Sequence, residues 1–360
     1  MPAAGHHTLD PDRIFADPSL VKTAEFEEPA IENGQILDRM TLTDIEQMGG
    51  FRRAAERRLP VRPSAACPSR CGPWAKLFPF AFAPDCGGPG IGHERVMFAP
   101  FFIESAQPYS HIGLQYENGW NLSKPDRSEF FWAAPTTGPG PERSVDVTTL
   151  TARMETATAR ASAILAVPLR AVDPEINRNT SGIGDLTVGG KLVLVSGKDW
   201  VVTQQTLTYL HTGPAGRGMG TGHVSMEPGL LARYRWTDEM YFHGQMRYVI
   251  PLSGTDDFPG EVLIWGVGAS WIWHETDAFA VLPTFEVAGI SFLDGQRTTP
   301  AGAAVDVDGE TSVEFLPGLR FVLGPQGDLG LPEIGISGGA SVGDTGWFAG
   351  RFQIVARWSY

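Results

Sequence analysis

The connections of this chain constrain it more than any single motif does. From residue 127 onward, apolar and polar residues trade places every second position in twelve successive segments: 127–133, 145–155, 159–170, 183–195, 200–211, 224–236, 240–251, 261–273, 278–292, 312–323, 330–341 and 347–360. A period of two is the signature of a strand with one apolar and one polar face. The links between them alternate in length. Residues 156–158, 196–199, 237–239, 274–277 and 324–329 make short turns; residues 134–144, 171–182, 212–223, 252–260 and 293–311 make long loops, and 342–346 a shorter one. In an up-and-down barrel every second connection lies at the same end, so tight turns gather on one side and loops on the other. Membrane barrels have that asymmetry.

The faces agree strand by strand. Met226, Leu230, Ala232, Tyr234 and Trp236 oppose Glu227, Arg233 and Arg235; Phe242, Met246, Tyr248 and Ile250 oppose His243, Gln245 and Arg247; Leu186, Val188, Leu192 and Leu194 oppose Asp185, Thr187 and Lys191. In the last segment Phe348, Phe352, Ile354, Ala356, Trp358 and Tyr360 oppose Arg351, Gln353 and Arg357. Aromatics collect beside the short turns, at Trp200, Trp236, Tyr241, Trp271, Trp273, Phe279, Phe321, Trp358 and Tyr360, as an interfacial girdle requires.

Composition narrows the partners. A net charge of -13 argues against nucleic acid, whose phosphates need a basic surface. No apolar run reaches the length of a spanning helix, so membrane entry requires a closed barrel. Cys67, Cys71 and Cys86 all precede the strands, and with His93 they make a poor zinc set. No cofactor or metal is expected.

The expected organisation is an irregular, weakly helical tether or plug at 1–95, a lead-in with extended character at 96–126, and the barrel at 127–360. The one helical spacing in the first segment follows Asp44 through Ile45, Met48 and Phe51. Residues 1–10 lack the basic start and apolar core of an ordinary export signal.

The stretch Ser181-Gly-Ile-Gly-Asp-Leu-Thr-Val-Gly-Gly-Lys-Leu192 resembles the Gly-Asp strand of the transporter-like outer-membrane proteins of the phenol-degradation meta pathway. That group is distantly similar to fatty-acid and aromatic-hydrocarbon transporters. Residues 125–132, 167–174 and 223–231 resemble members of the same group, and the likeness covers roughly 127–360. It implies a barrel in the bacterial outer membrane and no particular ligand residues. It also implies that Phe352, Ile354, Trp358 and Tyr360 form the end signal read by barrel assembly machinery.

Other chemistry reads weakly. Gly216, Gly218, Gly220 and Gly222 echo a phosphate loop, but the stretch joins two strands and opens no helix, so a surface loop is expected. His223, Ser225 and His243 could furnish a lipid hydrolase's nucleophile and base, without a visible orienting acid or oxyanion site. Asp306, Asp308 and Glu310 fall short of a calcium loop.

The expectation is therefore an all-β, antiparallel up-and-down transmembrane barrel of about twelve strands. Its partners would be outer-membrane lipid, the assembly machinery and a small solute. Its role would be passive passage of small, hydrophobic or aromatic molecules; the alternative is a sealed barrel that anchors the N-terminal segment. The expected lumen lining is Arg153, Lys191, Glu227, Arg233, Arg235, His243, Arg247, Glu286, Glu314, Arg320, Glu333, Arg351 and Arg357.

Overall fold

The computed structural model describes residues 91–122, 140–252, 258–324, 331–342 and 348–359. A short helix, α1 (Ile91–Val96), precedes β1 (His111–Leu122), β2 (Val145–Ala157), β3 (Ala161–Pro174) and β4 (Thr180–Ile183). Then come β5 (Leu186–Ser196), β6 (Trp200–Leu210), β7 (Ser225–Arg235), β8 (Met240–Pro251), β9 (Val262–Trp271) and β10 (His274–Glu275). The chain continues through β11 (Phe279–Phe292), β12 (Gln296–Thr298), β13 (Ala304–Asp306), β14 (Thr311–Leu323), β15 (Leu331–Val342) and β16 (Gly350–Ser359).

Twelve of these form a closed antiparallel cylinder, each pairing with the next long strand in the chain, while β4 and β10 are short additions to β3 and β11. Closure falls to β16. Ser359 stands opposite both Leu331 of β15 and His111 of β1, so no edge is left open there. The same register puts the start of β1 and the end of β16 at the turn end of the cylinder. A hairpin of β12 and β13 stands apart within the long connection at the loop end.

The first strand differs from expectation. It is His111–Leu122, inside the stretch read as a lead-in, whereas 127–133 lies outside the described residues. The inner face of β1 is Gly113, Gln115, Glu117 and Gly119. Two glycines there mute the alternation that marks the other strands. Residues 96–103, expected to be extended, end α1 and then run irregularly.

Alternation sets which side chains face outward. In β8, Tyr241, His243, Gln245, Arg247 and Val249 are buried while Phe242 and Met246 are exposed. Exposed apolar side chains encircle the cylinder, among them Leu114, Met154, Leu165, Leu192, Leu230, Val267, Phe285, Phe315, Ile336 and Ile354. Such a continuous apolar surface is stable only against an apolar surrounding. Among the described residues no helix is long and apolar enough to cross a membrane; here the apolar band is built by strands.

Aromatics flank the turns on the outside at Trp200, Trp236, Trp273, Phe279, Phe321 and Trp358. Tyr241 is a correction: it is 6% exposed and faces inward, because it starts the inner face of β8. Phe348 is another. It precedes β16, where the strand parity has not begun, and its ring lies over Gly119 inside the cylinder.

Candidate functional site

The interior of the cylinder is occupied by the chain itself. Between α1 and β1, residues 97–110 lie inside, and the inward side chains of the strands bind their backbone. Glu286, fully buried on β11, accepts N–H bonds from Phe101 (3.4 Å), Phe102 (3.0 Å) and Ile103 (2.9 Å). Gln245 accepts from the Glu104 amide at 2.9 Å and donates to the Phe102 carbonyl at 3.3 Å. Arg320 donates to the carbonyls of Phe98 (2.9 Å) and Arg95 (3.1 Å). Arg357 donates to those of Pro100 (2.7 Å) and Ala99 (3.2 Å). Thr203 donates to that of Ala106 at 2.5 Å. A segment without regular structure must satisfy its backbone somewhere, and here the wall does so.

Fit adds to these bonds. The Phe101 ring presses on bare backbone, since a Cβ on Gly318 or Gly335 would lie 2.5 Å or 2.8 Å from it. Ile103 likewise sits against Gly266 and Gly268, where a Cβ would come within 3.3 Å and 3.0 Å. Glycine at these four places lets the segment approach strands that would otherwise exclude it.

A charged clasp holds the middle of the segment. Arg153 on β2 donates twice to the Glu104 carboxylate, at 2.6 Å and 2.7 Å. Lys191 on β5 lies 3.6 Å from Glu104 and 3.0 Å from Glu155. Beside the clasp is a cavity of about 50 Å³ lined by Tyr109, His111, Arg153, Glu155, Lys191 and Arg357 among others. That is room for a few waters.

At the turn end, α1 is fastened to the rim. Glu275 accepts from the Gly92 amide at 2.7 Å and meets the His93 ring at 2.9 Å. Arg95 donates to the Leu331 carbonyl and to Ser359. Val96 packs with Tyr241, Ala280, Leu282 and Val322.

The loop half of the interior is different. Leu122, Val145, Val147, Val172, Met219, Val249, Ile264, Ile290, Phe292 and Phe348 form a buried apolar cluster, with Phe102 at its base. Phe102 lies between two guanidinium groups, Arg247 at 5.7 Å and Arg351 at 5.4 Å from the ring centre. Each is balanced by a carboxylate: Arg247 by Glu227 at 2.7 Å, Arg351 by Glu314. The interior thus runs from a polar, plugged turn half to an apolar loop half.

The loop of residues 212–223, expected at the surface, folds down over this apolar half. Its Met219 is fully buried, and Asp185 holds it by accepting from the Gly213 amide (3.0 Å), the Thr221 amide (3.0 Å) and the Thr221 hydroxyl (3.2 Å). The Gly-Asp motif therefore works as a loop clamp. Gly220 is required because a Cβ there would meet Asp185 at 2.3 Å.

The remaining candidates are placed as follows. Arg320 makes a bidentate pair with Glu333 (3.0 Å and 2.8 Å), which Arg357 joins at 3.3 Å. Arg235 stays at the turn rim with Asp199 and Asp238. Arg233 and His243 face inward on neighbouring strands near that rim. The Ser225 hydroxyl bonds neither His223 nor His243, so no nucleophile and base are assembled. Asp306 accepts from Gln296 across the β12–β13 hairpin. Phe352, Ile354 and Trp358 face outward on the closing strand. Tyr360, the three cysteines and the helical spacing after Asp44 lie outside the described residues.

Sequence reasoning missed the binding partners of Glu286, Gln245 and Arg320, because those partners are backbone atoms of a remote segment. The glycines opposite Phe101 and Ile103 were the available signal.

No family model matches the chain, and no curated protein matches it. Among solved structures it is similar to an outer membrane channel from Pseudomonas putida F1, at 13% identity and TM-score 0.48 over 76% of this chain and 100% of that one. It is also similar to the NanC porin, at 10% identity and TM-score 0.38 over 70% and 98%. A third likeness is to LpxR from Salmonella typhimurium, at 8% and 0.40 over 70% and 100%. Likenesses this distant carry no argument about activity.

Proposed function

We propose that the protein is a passive channel of the bacterial outer membrane for small hydrophobic or aromatic solutes, closed at rest by residues 97–110. One observation carries this reading: Glu286 and Gln245 spend their hydrogen bonds on the inner segment, and Arg320 and Arg357 bond its carbonyls besides pairing with Glu333. In a permanently sealed barrel, interior charges need only pair with one another across the lumen. Here withdrawal of one segment would leave a polar passage below the buried apolar cluster. The apolar cluster of Val147, Val249, Ile290 and Phe292 on the same axis favours solutes that gain by leaving water. The narrower kinship with the phenol-degradation group belongs to this proposal and rests on the four stretches quoted for it.

Vesicles whose outer leaflet is lipopolysaccharide test it, since that leaflet resists hydrophobic solutes. Insertion of the protein should accelerate entry of a small aromatic dye, and Ile290→Lys should slow it again. A dye entry rate equal to that of protein-free vesicles would leave the sealed anchor as the better reading.

A further inference from the structure

Four interior cations of this barrel have visible carboxylate counterparts. Arg153 meets Glu104, Lys191 meets Glu155, Arg247 meets Glu227 and Arg320 meets Glu333. Arg233 does not follow. Its Nε and Nη1 are shut away from solvent without a hydrogen-bond partner, and its contact is the face of the Tyr241 ring at 5.6 Å. Arg233 as a whole is half-buried, but two guanidinium nitrogens held dry without an anion are a costly arrangement.

Two further polar groups stand beside it in the same condition. His243, directly opposite Arg233 in the β7–β8 register, is 4% exposed; it lies beside the Val96 backbone, and its ring nitrogens complete no well-formed hydrogen bond. Ser270, opposite Tyr241 in the β8–β9 register, is fully buried with its hydroxyl unbonded. All three side chains lie on the inner face of the successive strands β7, β8 and β9, and the Tyr241 ring under the Arg233 guanidinium is directly opposite Ser270. None is bonded to a carboxylate, and Arg235, the nearest cation on β7, is already committed to Asp199 and Asp238.

We propose that Arg233, His243 and Ser270 form a receptor for one small oxyanion, a carboxylate or a phosphate, at the turn-side mouth of the barrel. The guanidinium offers paired N–H groups that match two oxygens of such an anion. The imidazole N–H and the Ser270 hydroxyl each offer one more donor. An anion would neutralise the half-buried charge and give all three groups a partner. The site does not depend on the channel reading, because it concerns occupancy and not passage.

The test uses the full chain folded in uncharged detergent at constant ionic strength. The ring resonance of His243, assigned by its loss in His243→Gln, is followed against acetate, inorganic phosphate, decanoate and decanol. Saturable shifts with acetate and decanoate identify a carboxylate site, and shifts with phosphate identify a phosphate site; decanol should give none. Arg233→Gln should weaken the binding by about tenfold or more while keeping heat-modifiable mobility, and Arg233→Lys should recover part of it. Ser270→Ala, which leaves the charge in place, should weaken it less and serves if the Gln variant does not fold. The proposal is overturned if no anion gives a saturable shift, if Arg233→Gln binds as tightly as the parent, or if decanol matches decanoate.

Discussion

Glu104→Gln should loosen the inner segment without disturbing the barrel that holds it. The glutamine keeps the size of the side chain and one acceptor oxygen but removes the charge that takes two bonds from Arg153. Glu104 and Arg153 are 17% and 23% exposed, so the pair is sheltered enough for its charge to count. A charge-assisted hydrogen bond exceeds a neutral one by about 1 kcal/mol, so two such bonds weaken by about 2 kcal/mol together. Lys191 keeps Glu155 at 3.0 Å, and no cation is left wholly unpaired, which limits the loss to about that figure. If the segment exchanges between seated and withdrawn states, 2 kcal/mol corresponds to about a thirtyfold rise in the withdrawn population. Single-channel recording in planar bilayers reads this as open fraction. Arg153→Met should raise it by a similar amount, and combining the two changes should add little, because both remove the same contact. An open fraction in Glu104→Gln that matches the parent would refute the clasp, provided the folded yield is equal.

Gly335→Ala places a methyl group 2.8 Å from the Phe101 ring, with only side chains in its way, so it should also raise the open fraction. Phe101→Ala in the same chain should remove the clash, and recordings of both variants check it. Removing Trp358–Tyr360 takes away the rungs that pair Trp358 with Ile112 and Pro332, and should abolish closure more thoroughly than any inward substitution. Heat-modifiable mobility reads the outcome, and normal membrane insertion of the truncation would contradict it. At the loop end, burial pushes the Glu142 carboxyl up, but N–H bonds from Asn177, Arg143 and Ile176 outweigh it and leave the group below its ordinary value. A depressed folded value means that the clasp is intact above the ordinary carboxylate range and is lost as pH falls through the lowered value. Amide resonances of Ile176 and Asn177 should move in that acidic window, and in Glu142→Gln they should already be displaced at neutral pH.

The wall of the barrel was legible because a strand with one face in lipid and one in a polar interior must alternate, and because turns and loops separate by end. Exceptions came where that rule is weak. β1 hides its inner face behind Gly113 and Gly119, and Phe348 precedes the strand whose parity it was given. The inner segment was not legible, since residues 97–110 have no period and their partners lie far away in the chain: Glu286, for one, is more than 180 residues from the amides it binds. Charges on the wall could be read as lumenal from sequence, but not as bound to a remote backbone. Gly266, Gly268, Gly318 and Gly335 interrupt otherwise regular strands, and only the fold shows that each marks the track of an inserted side chain.

The central claim is that residues 97–110 close the lumen reversibly, and a tether tests it most directly. In a chain whose Cys67, Cys71 and Cys86 are replaced by serine, Ile103→Cys with Gly266→Cys puts two thiols on groups that already touch; a Cβ on Gly266 lies 3.3 Å from Ile103 Cγ1. Bilayer recordings before and after reduction then compare a locked segment with a free one in the same molecules. Silence when oxidised and openings on reduction are predicted. Equal conductance in both states, with the disulfide verified, would contradict the account.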